Sequence, residues 1–241
     1  MYIESVDNKR VKEIAKLNEK KYRDKNLEFL VEGINLVSSA YKRGMLKTLI
    51  LLEGKILPLD VDVITVSRRV MKKISKLDTP PSVMGICSMP TQTKFGDKIL
   101  VLDNIQDPGN LGTIIRSAVA FNIDTIILSE SSVDLYNPKV LRATQGMIFD
   151  INILRRDLRT FLPLLKQGKY KIYGTSVSGG KDIRNIKLST HFAIIMGNEG
   201  NGISSFSKEM CDEFLYIKMN DACESLNVGV ATSIILYEIS K

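Results

Sequence analysis

The second half of this 241-residue chain alternates apolar strand candidates with helical stretches, and that alternation restricts the fold more than any other feature. The strand candidates are residues 98–102, 125–128, 170–175, 192–196 and 214–217, and helical periodicity fills most of the gaps between them. Strands that are apolar throughout, and not only at alternate positions, must be buried on both faces. Joined by helices, they predict an α/β domain with a covered parallel sheet. An apolar helix rich in small residues, 226–239, closes the chain.

The first part reads differently. Helical periodicity covers 8–20 and 33–41, β-rich runs cover 46–52 and 61–66, a capped basic helix is expected over 67–76, and a closing strand over 82–89. The polar stretch from Pro90 to Asp97 has no periodicity. The expected organisation is therefore a small N-terminal α/β domain (1–90), a linker (91–97) and a larger parallel-sheet domain (98–241), without internal repeats.

Formal net charge is +7, and much of it is local: Lys9, Arg10, Lys12, Lys16, Lys20, Lys21, Arg23 and Lys25 crowd the start of the chain. Val11, Ile14, Ala15 and Leu17 interleave at helical spacing, which makes this a basic face on a folded element. Such a face fits a polyanion or is simply solvated. His191 is the sole histidine, which removes most hydrolytic mechanisms that need a histidine base. Cys87, Cys211 and Cys223 are far apart and have no C-x-x-C spacing, so reduced thiols and no metal site are expected. No apolar run reaches the ~18 residues of a membrane span, and the first ten residues are polar. A soluble, cytoplasmic protein is the expectation.

Three stretches carry the chemistry. In 102–116 a strand ends at Leu102, a Pro-Gly turn follows, and Asn110 is the expected N-cap of a helix on which Gly112 and Arg116 share a face. A guanidinium there offers a bidentate fork to a phosphate. In 192–203 a strand runs into Gly197, Gly200 and Gly202 with Glu199 among them. That order is neither the dinucleotide fingerprint nor a phosphate-binding loop with its Gly-Lys-Ser/Thr. In 214–231 a strand and polar loop lead to Ser225 and Asn227 at the start of the last helix. Each alone also reads as a capped helix or a glycine turn.

Together the three stretches resemble the motifs of the SpoU, or TrmH-type, RNA ribose methyltransferases of the SPOUT class. Asn110, Gly112 and Arg116 match motif one, the run 196–202 matches motif two, and 224–228 matches motif three. The segment 134–146 resembles the family's stretch between motifs one and two, and 29–33 resembles the opening of an accessory RNA-binding domain. The resemblance implies a trefoil knot, S-adenosylmethionine as cofactor, a homodimer, and transfer of a methyl group to a ribose 2′-hydroxyl of structured RNA. Ribosomal RNA is the expected substrate, with transfer RNA the alternative. Arg116 is the implied catalytic residue, acting as base or as phosphate clamp, with Asn110, Glu199, Ser225 and Asn227 orienting it and the RNA. Gly197, Glu199, Gly200, Ile217, Met219, Ser225 and Leu226 are the implied cofactor contacts. Lys20, Lys21, Arg23, Lys139 and Arg142 are the expected RNA contacts. Lys218, Asp221 and Gly229 depart from the residues usual in the family. A binding protein that kept the fold without activity is the competing reading, and the intact motifs speak against it.

Overall fold

The computed structural model describes residues 1–91 and 93–240. Position 92 of the expected linker and Lys241 at the end of the expected second domain lie outside the described residues. In chain order the elements begin with β1 (Tyr2–Ile3), α1 (Lys9–Lys16), α2 (Lys20–Asn26), β2 (Glu28–Glu32), α3 (Ile34–Lys42), β3 (Leu46–Leu52), β4 (Asp62–Val66), α4 (Arg68–Ile74) and β5 (Val83–Ser88). They continue with β6 (Lys98–Leu102), α5 (Pro108–Ala120), β7 (Thr125–Ser129), α6 (Pro138–Ala143), β8 (Asn152–Arg156), α7 (Leu158–Gln167) and β9 (Lys171–Ser176). The last are β10 (Lys181–Asp182), β11 (Phe192–Met196), α8 (Ser205–Met210), β12 (Glu213–Tyr216) and α9 (Val228–Ile239). Two compact units result: Met1–Thr91 with Asp134–Phe149, and the remaining described residues. The chain thus passes between units three times.

The first unit holds a five-stranded sheet in the order β1-β4-β3-β5-β2, with β5 antiparallel to both its neighbours. Asn8 caps α1 through its side chain, which accepts from the Arg10 amide, and Val11, Ile14 and Leu17 enter the core with Ile50, Met71 and Met84. The single helix expected over 8–20 is two helices. Leu17 closes α1, and α2 ends at Leu27, which takes a left-handed conformation (φ 53°). Strand β2 was not expected from the sequence, because a run of only three apolar residues between two glutamates carries little period. It exists because its Phe29 ring meets Tyr136 (4.3 Å between centroids) and Phe149 (6.2 Å), residues far away in sequence. Arg23 is only 4% exposed. It donates to the Leu17 carbonyl at 3.1 Å and forms an ion pair with Asp134.

The second unit is a seven-stranded sheet, β10-β12-β9-β11-β6-β7-β8, parallel in every pairing. Ile99, Val101, Ile127, Ala193 and Ile195 join Phe161, Leu162 and Leu165 of α7 in one core. The alternate residues Leu100, Ile126 and Ile194 are as fully buried, so both faces are covered. The two outer strands, β8 and β10, were not anticipated. β8 reads Asn-Ile-Leu-Arg-Arg and is mostly half-buried, and β10 has two residues, so neither carries the apolar run that marks the inner strands. Helices α5 and α9 pack closely: Ser117 and Ser233 hydroxyls are 2.7 Å apart, and a Cβ on Gly229 would lie 3.2 Å from Thr113. The cysteines are free, and burial pushes the Cys211 thiol up to about 11 and that of Cys87 further.

Candidate active site

Strands β6 and β11 are neighbours in register, with Met196 opposite Leu102, so the first two motif loops leave the sheet side by side at its carboxyl end. That is where open α/β sheets bind ligands. Side chains then tie the loops together. The Asp103 amide donates to the Met196 carbonyl at 2.9 Å, and its carboxylate accepts from the Ser204 amide at 3.0 Å. Asn198 donates to the Asn104 carbonyl at 2.9 Å while its Oδ1 accepts from the amides of Gly200 (2.9 Å) and Asn201 (3.1 Å). Reciprocal 2.9 Å bonds between Asn198 and Gly202 backbones close the glycine loop. A Cβ on Gly197 would lie 2.1 Å from the Gly202 carbonyl carbon, so only glycine fits there.

The N-cap of α5 is Asp107, not the expected Asn110. Pro108 occupies the first turn, and Asp107 Oδ1 accepts from the Asn110 amide at 2.7 Å. Asn110 therefore has its side chain free for the site. Its Nδ2 donates to Glu199 Oε1 at 2.8 Å, and its Oδ1 accepts from Asn227 Nδ2 at 2.8 Å. Asn227 caps α9 with its own Oδ1, on the amides of Gly229 (2.9 Å) and Val230 (3.3 Å). One relay, Asn227 to Asn110 to Glu199, thus joins all three motifs.

Arg116 stands outside this relay. It is exposed, and among the described residues its side chain forms no hydrogen bond or ion pair. Ser225 is exposed beside the cavity described next. His191 precedes β11, at the opposite end of that strand from the glycine loop, where it lies 3.3 Å from Asp97.

A cavity of about 470 Å³ opens between the second and third motif loops. Gly197, Glu199, Gly200, Ile217, Met219, Ser225 and Leu226 all line it, which brings together every implied cofactor contact. Sequence reasoning missed Thr175, Ser176 and Val177 at the end of β9, and Lys208 on α8, which also line it. Only the strand order, with β9 between β12 and β11, reveals them. The donor set fits S-adenosylmethionine. Leu215, Ile217 and Ile235 give apolar walls for a base, Glu199 and Glu224 suit cationic groups, and Lys208 suits a carboxylate.

The expected RNA contacts lie in the first unit. Lys20 pairs with Asp24, the Lys21 ammonium is 5.8 Å from the Tyr22 ring, and Lys139 is exposed at the start of α6. Arg142 is half-buried, with one terminal nitrogen buried and without a hydrogen-bond partner. Arg23 is a correction: its guanidinium is buried against Asp134, so it is not part of the basic surface. Among the described residues no cluster of three or more metal-ligating side chains occurs, and no helix is long and apolar enough to cross a membrane.

Residues 97–237 match the model of the SpoU rRNA methylase family, and 8–85 match the MRM3-like substrate binding domain. The chain is 37% identical over 98% of its length, and 98% of the relative's, to the 23S rRNA (guanosine(2553)-2′-O)-methyltransferase RlmP of Bacillus subtilis. An AdoMet-bound rRNA methyltransferase from Sinorhizobium meliloti superposes with a TM-score of 0.87 at 30% identity, covering 99% of this chain and 97% of that one. A solved RNA 2′-O ribose methyltransferase superposes with a TM-score of 0.82 at 31% identity, covering 99% and 98%. The chain belongs to the SpoU rRNA methylase family: it is an RNA ribose 2′-O-methyltransferase whose methyl donor is S-adenosylmethionine.

Proposed function

We propose that the chain methylates a ribose of 23S ribosomal RNA in the cytoplasm, as a homodimer, with the residues above in the roles the motifs imply. The observation that carries the site assignment is the relay Asn227–Asn110–Glu199 at the rim of the cavity. The substrate assignment leans on the full-length likeness to RlmP.

When bound, S-adenosylmethionine supplies an electrophilic methyl group on a sulfonium. The chain's own residues position and desolvate. The glycine loop and the wall of Ile217, Met219, Ser225 and Leu226 would hold the cofactor. Asn227 fixes the Asn110 amide, which in turn fixes the Glu199 carboxylate at the cavity edge. Of its two roles, we assign Arg116 the clamp. Its exposed fork can take an RNA phosphate and polarise the 2′-hydroxyl. The 2′-hydroxyl, polarised by Arg116, would release its proton to bulk solvent. Residues 1–90 serve, together with the inserted Asp134–Phe149, as the RNA-gripping domain, 91–97 as the linker, and the rest of 98–241 as the catalytic domain.

Two features support the finer points. The order β12-β9-β11-β6, in which later strands lie among earlier ones, supports the implied trefoil knot. Val230, Ile234 and Tyr237 are exposed at i, i+4 and i+7 along α9, an apolar stripe suited to a second copy. The small residues Gly229 and Ser233 of the same helix instead face α5.

The test incubates purified protein with radiolabelled cofactor and either 23S rRNA or transfer RNA, then maps ribose methylation. Label confined to one 2′-oxygen of 23S rRNA is expected. Label in transfer RNA alone would overturn the substrate assignment. Light scattering should give twice the mass of one chain, and a monomer at every working concentration would refute the dimer.

A further inference from the structure

A second cavity lies in the first unit, remote in sequence from all three motifs. It has a volume of about 410 Å³ and is formed by α1, α2 and the strands β2 and β5. Ile14, Leu17 and Ile86 form its floor, but each is almost wholly buried, so the floor offers little apolar area. Its wall is the half-buried ring of Tyr22, and its rim carries Arg10, Lys16 and Lys25. Lys16 Nζ lies 5.3 Å and Lys21 Nζ 5.8 Å from the centre of that ring. The acidic lining residues already have partners: Glu13 pairs with Arg10 (3.6 Å), and Glu28 with Lys47.

We infer that this groove receives one unpaired nucleotide of the RNA substrate, its base stacked on Tyr22 and its flanking phosphates held by Arg10, Lys16 and Lys25. The inference rests on the RNA-gripping role proposed above for this part of the chain and names the form of RNA it grips. Four arguments carry it. The volume is that of a small-molecule site, roughly 300–1,000 Å³, and a single nucleoside fits within it. An aromatic wall beside a cationic rim is the chemistry of single-strand binding, where bases stack and phosphates pair. A paired base has its faces stacked inside the helix, so a duplex cannot use the ring. A docking protein would instead meet a lysine-rich rim over a nearly buried floor, whereas protein interfaces are poor in lysine and apolar at their centre. Lys16, now beside the ring, would move onto a phosphate when a base arrives. Asn26 at the edge offers both a donor and an acceptor to the base.

The chain contains no tryptophan, so Tyr22→Trp places a single indole reporter in the groove. The full-length variant is titrated with a short single-stranded RNA of mixed sequence, and with the same strand paired to its complement. Quenching by the single strand but not by the duplex is expected. Tyr22→Ala should weaken single-strand binding by about tenfold, within the range measured for removing one stacking aromatic, and leave duplex binding within twofold. Lys20→Glu with Lys21→Glu should weaken both. Equal affinity of parent and Tyr22→Ala for the single strand, without quenching, overturns the groove assignment but leaves RNA binding by this unit standing. Equal quenching by the duplex overturns base stacking. Binding of neither RNA by the parent removes the RNA reading itself. If Tyr22→Ala methylates naked rRNA normally but fails on ribosomal particles, the groove belongs to a protein partner and the assignment is wrong.

Discussion

Replacing Gly197 by alanine sets a methyl carbon against backbone, which cannot swing aside. The new Cβ would lie 2.1 Å from the Gly202 carbonyl carbon and 2.2 Å from the Ile203 nitrogen. Non-bonded carbons prefer about 3.5–4.0 Å, so the two sides of the loop must part by more than about 1 Å. That movement breaks the reciprocal 2.9 Å bonds between Asn198 and Gly202. At about 0.5–1.5 kcal/mol net for each hydrogen bond, the loss is about 1–3 kcal/mol. In a chain of this size 1 kcal/mol moves Tm by about 2–4 °C, so a fall of roughly 2–12 °C is expected by differential scanning calorimetry. Glu199 and Gly200 move with the loop, and both line the cofactor cavity. Calorimetric titration should therefore show S-adenosylmethionine affinity reduced at least about tenfold, or 1.4 kcal/mol. Gly200 supplies the control. An added Cβ there meets nothing closer than Asn198 Oδ1 at 3.5 Å, and its φ is not positive, so Gly200→Ala should keep the parent Tm. If Gly197→Ala bound cofactor like the parent, or if both variants lost stability equally, the steric account of the loop would be wrong.

Other outcomes follow from the same geometry. Arg116→Ala should abolish methyl transfer in single-turnover kinetics at saturating RNA while cofactor affinity stays within twofold. Arg116→Lys should fail as well, because a lysine lacks the fork, and substantial activity in the lysine variant would refute the clamp. Asp134→Ala leaves the Arg23 guanidinium buried without its carboxylate; such losses cost roughly 3–5 kcal/mol, and partial exposure of Asp134 puts the value at the lower end, measurable by urea unfolding. Replacing both partners by apolar residues should recover most of it. Burial, with Asp134 and Asp24 nearby, pushes the Tyr136 hydroxyl up to about 12. The folded state thus favours the neutral phenol: its contribution is full below the unfolded value near 10 and fades as pH rises towards 12, by roughly 2–3 kcal/mol. Tyr136→Phe should flatten the stability profile in that window, and an unchanged profile would place the alkaline transition elsewhere.

The cofactor loops were legible because their residues fall in unbroken runs, 196–202 and 217–227, each after an apolar strand. The inner strands were legible for the same reason. What escaped depends on partners distant in sequence. Arg23 looks like one more basic residue on a helix until Asp134, 111 positions away, is placed beside it. Arg155 gives no periodic signal, yet its guanidinium donates to the carbonyls of Ser129, Glu130, Ser132 and Val133 and fixes the turn after β7. That turn in turn holds Asn104 and Ile105, through the hydroxyls of Ser129 and Ser132, on the approach to α5. The Asp107 cap was missed because Asn110 is as good a capping residue, and only the position of the first helical turn decides between them.

The passage of Asp134–Phe149 into the first unit has a consequence for how such a protein can be rebuilt, by evolution or by hand. Residues 1–91 alone would export a domain with part of its interior missing, and the ring of Phe29 would lose both its aromatic neighbours. The remainder would carry a loop of orphaned Leu135, Val140, Leu141 and Ile148, all buried in the intact chain. Exchange of RNA specificity between relatives therefore calls for a two-piece cassette, head and inserted segment together. A swap of the head alone should yield insoluble chimaeras, whereas the paired swap should fold, because the new Phe29 surroundings travel with it.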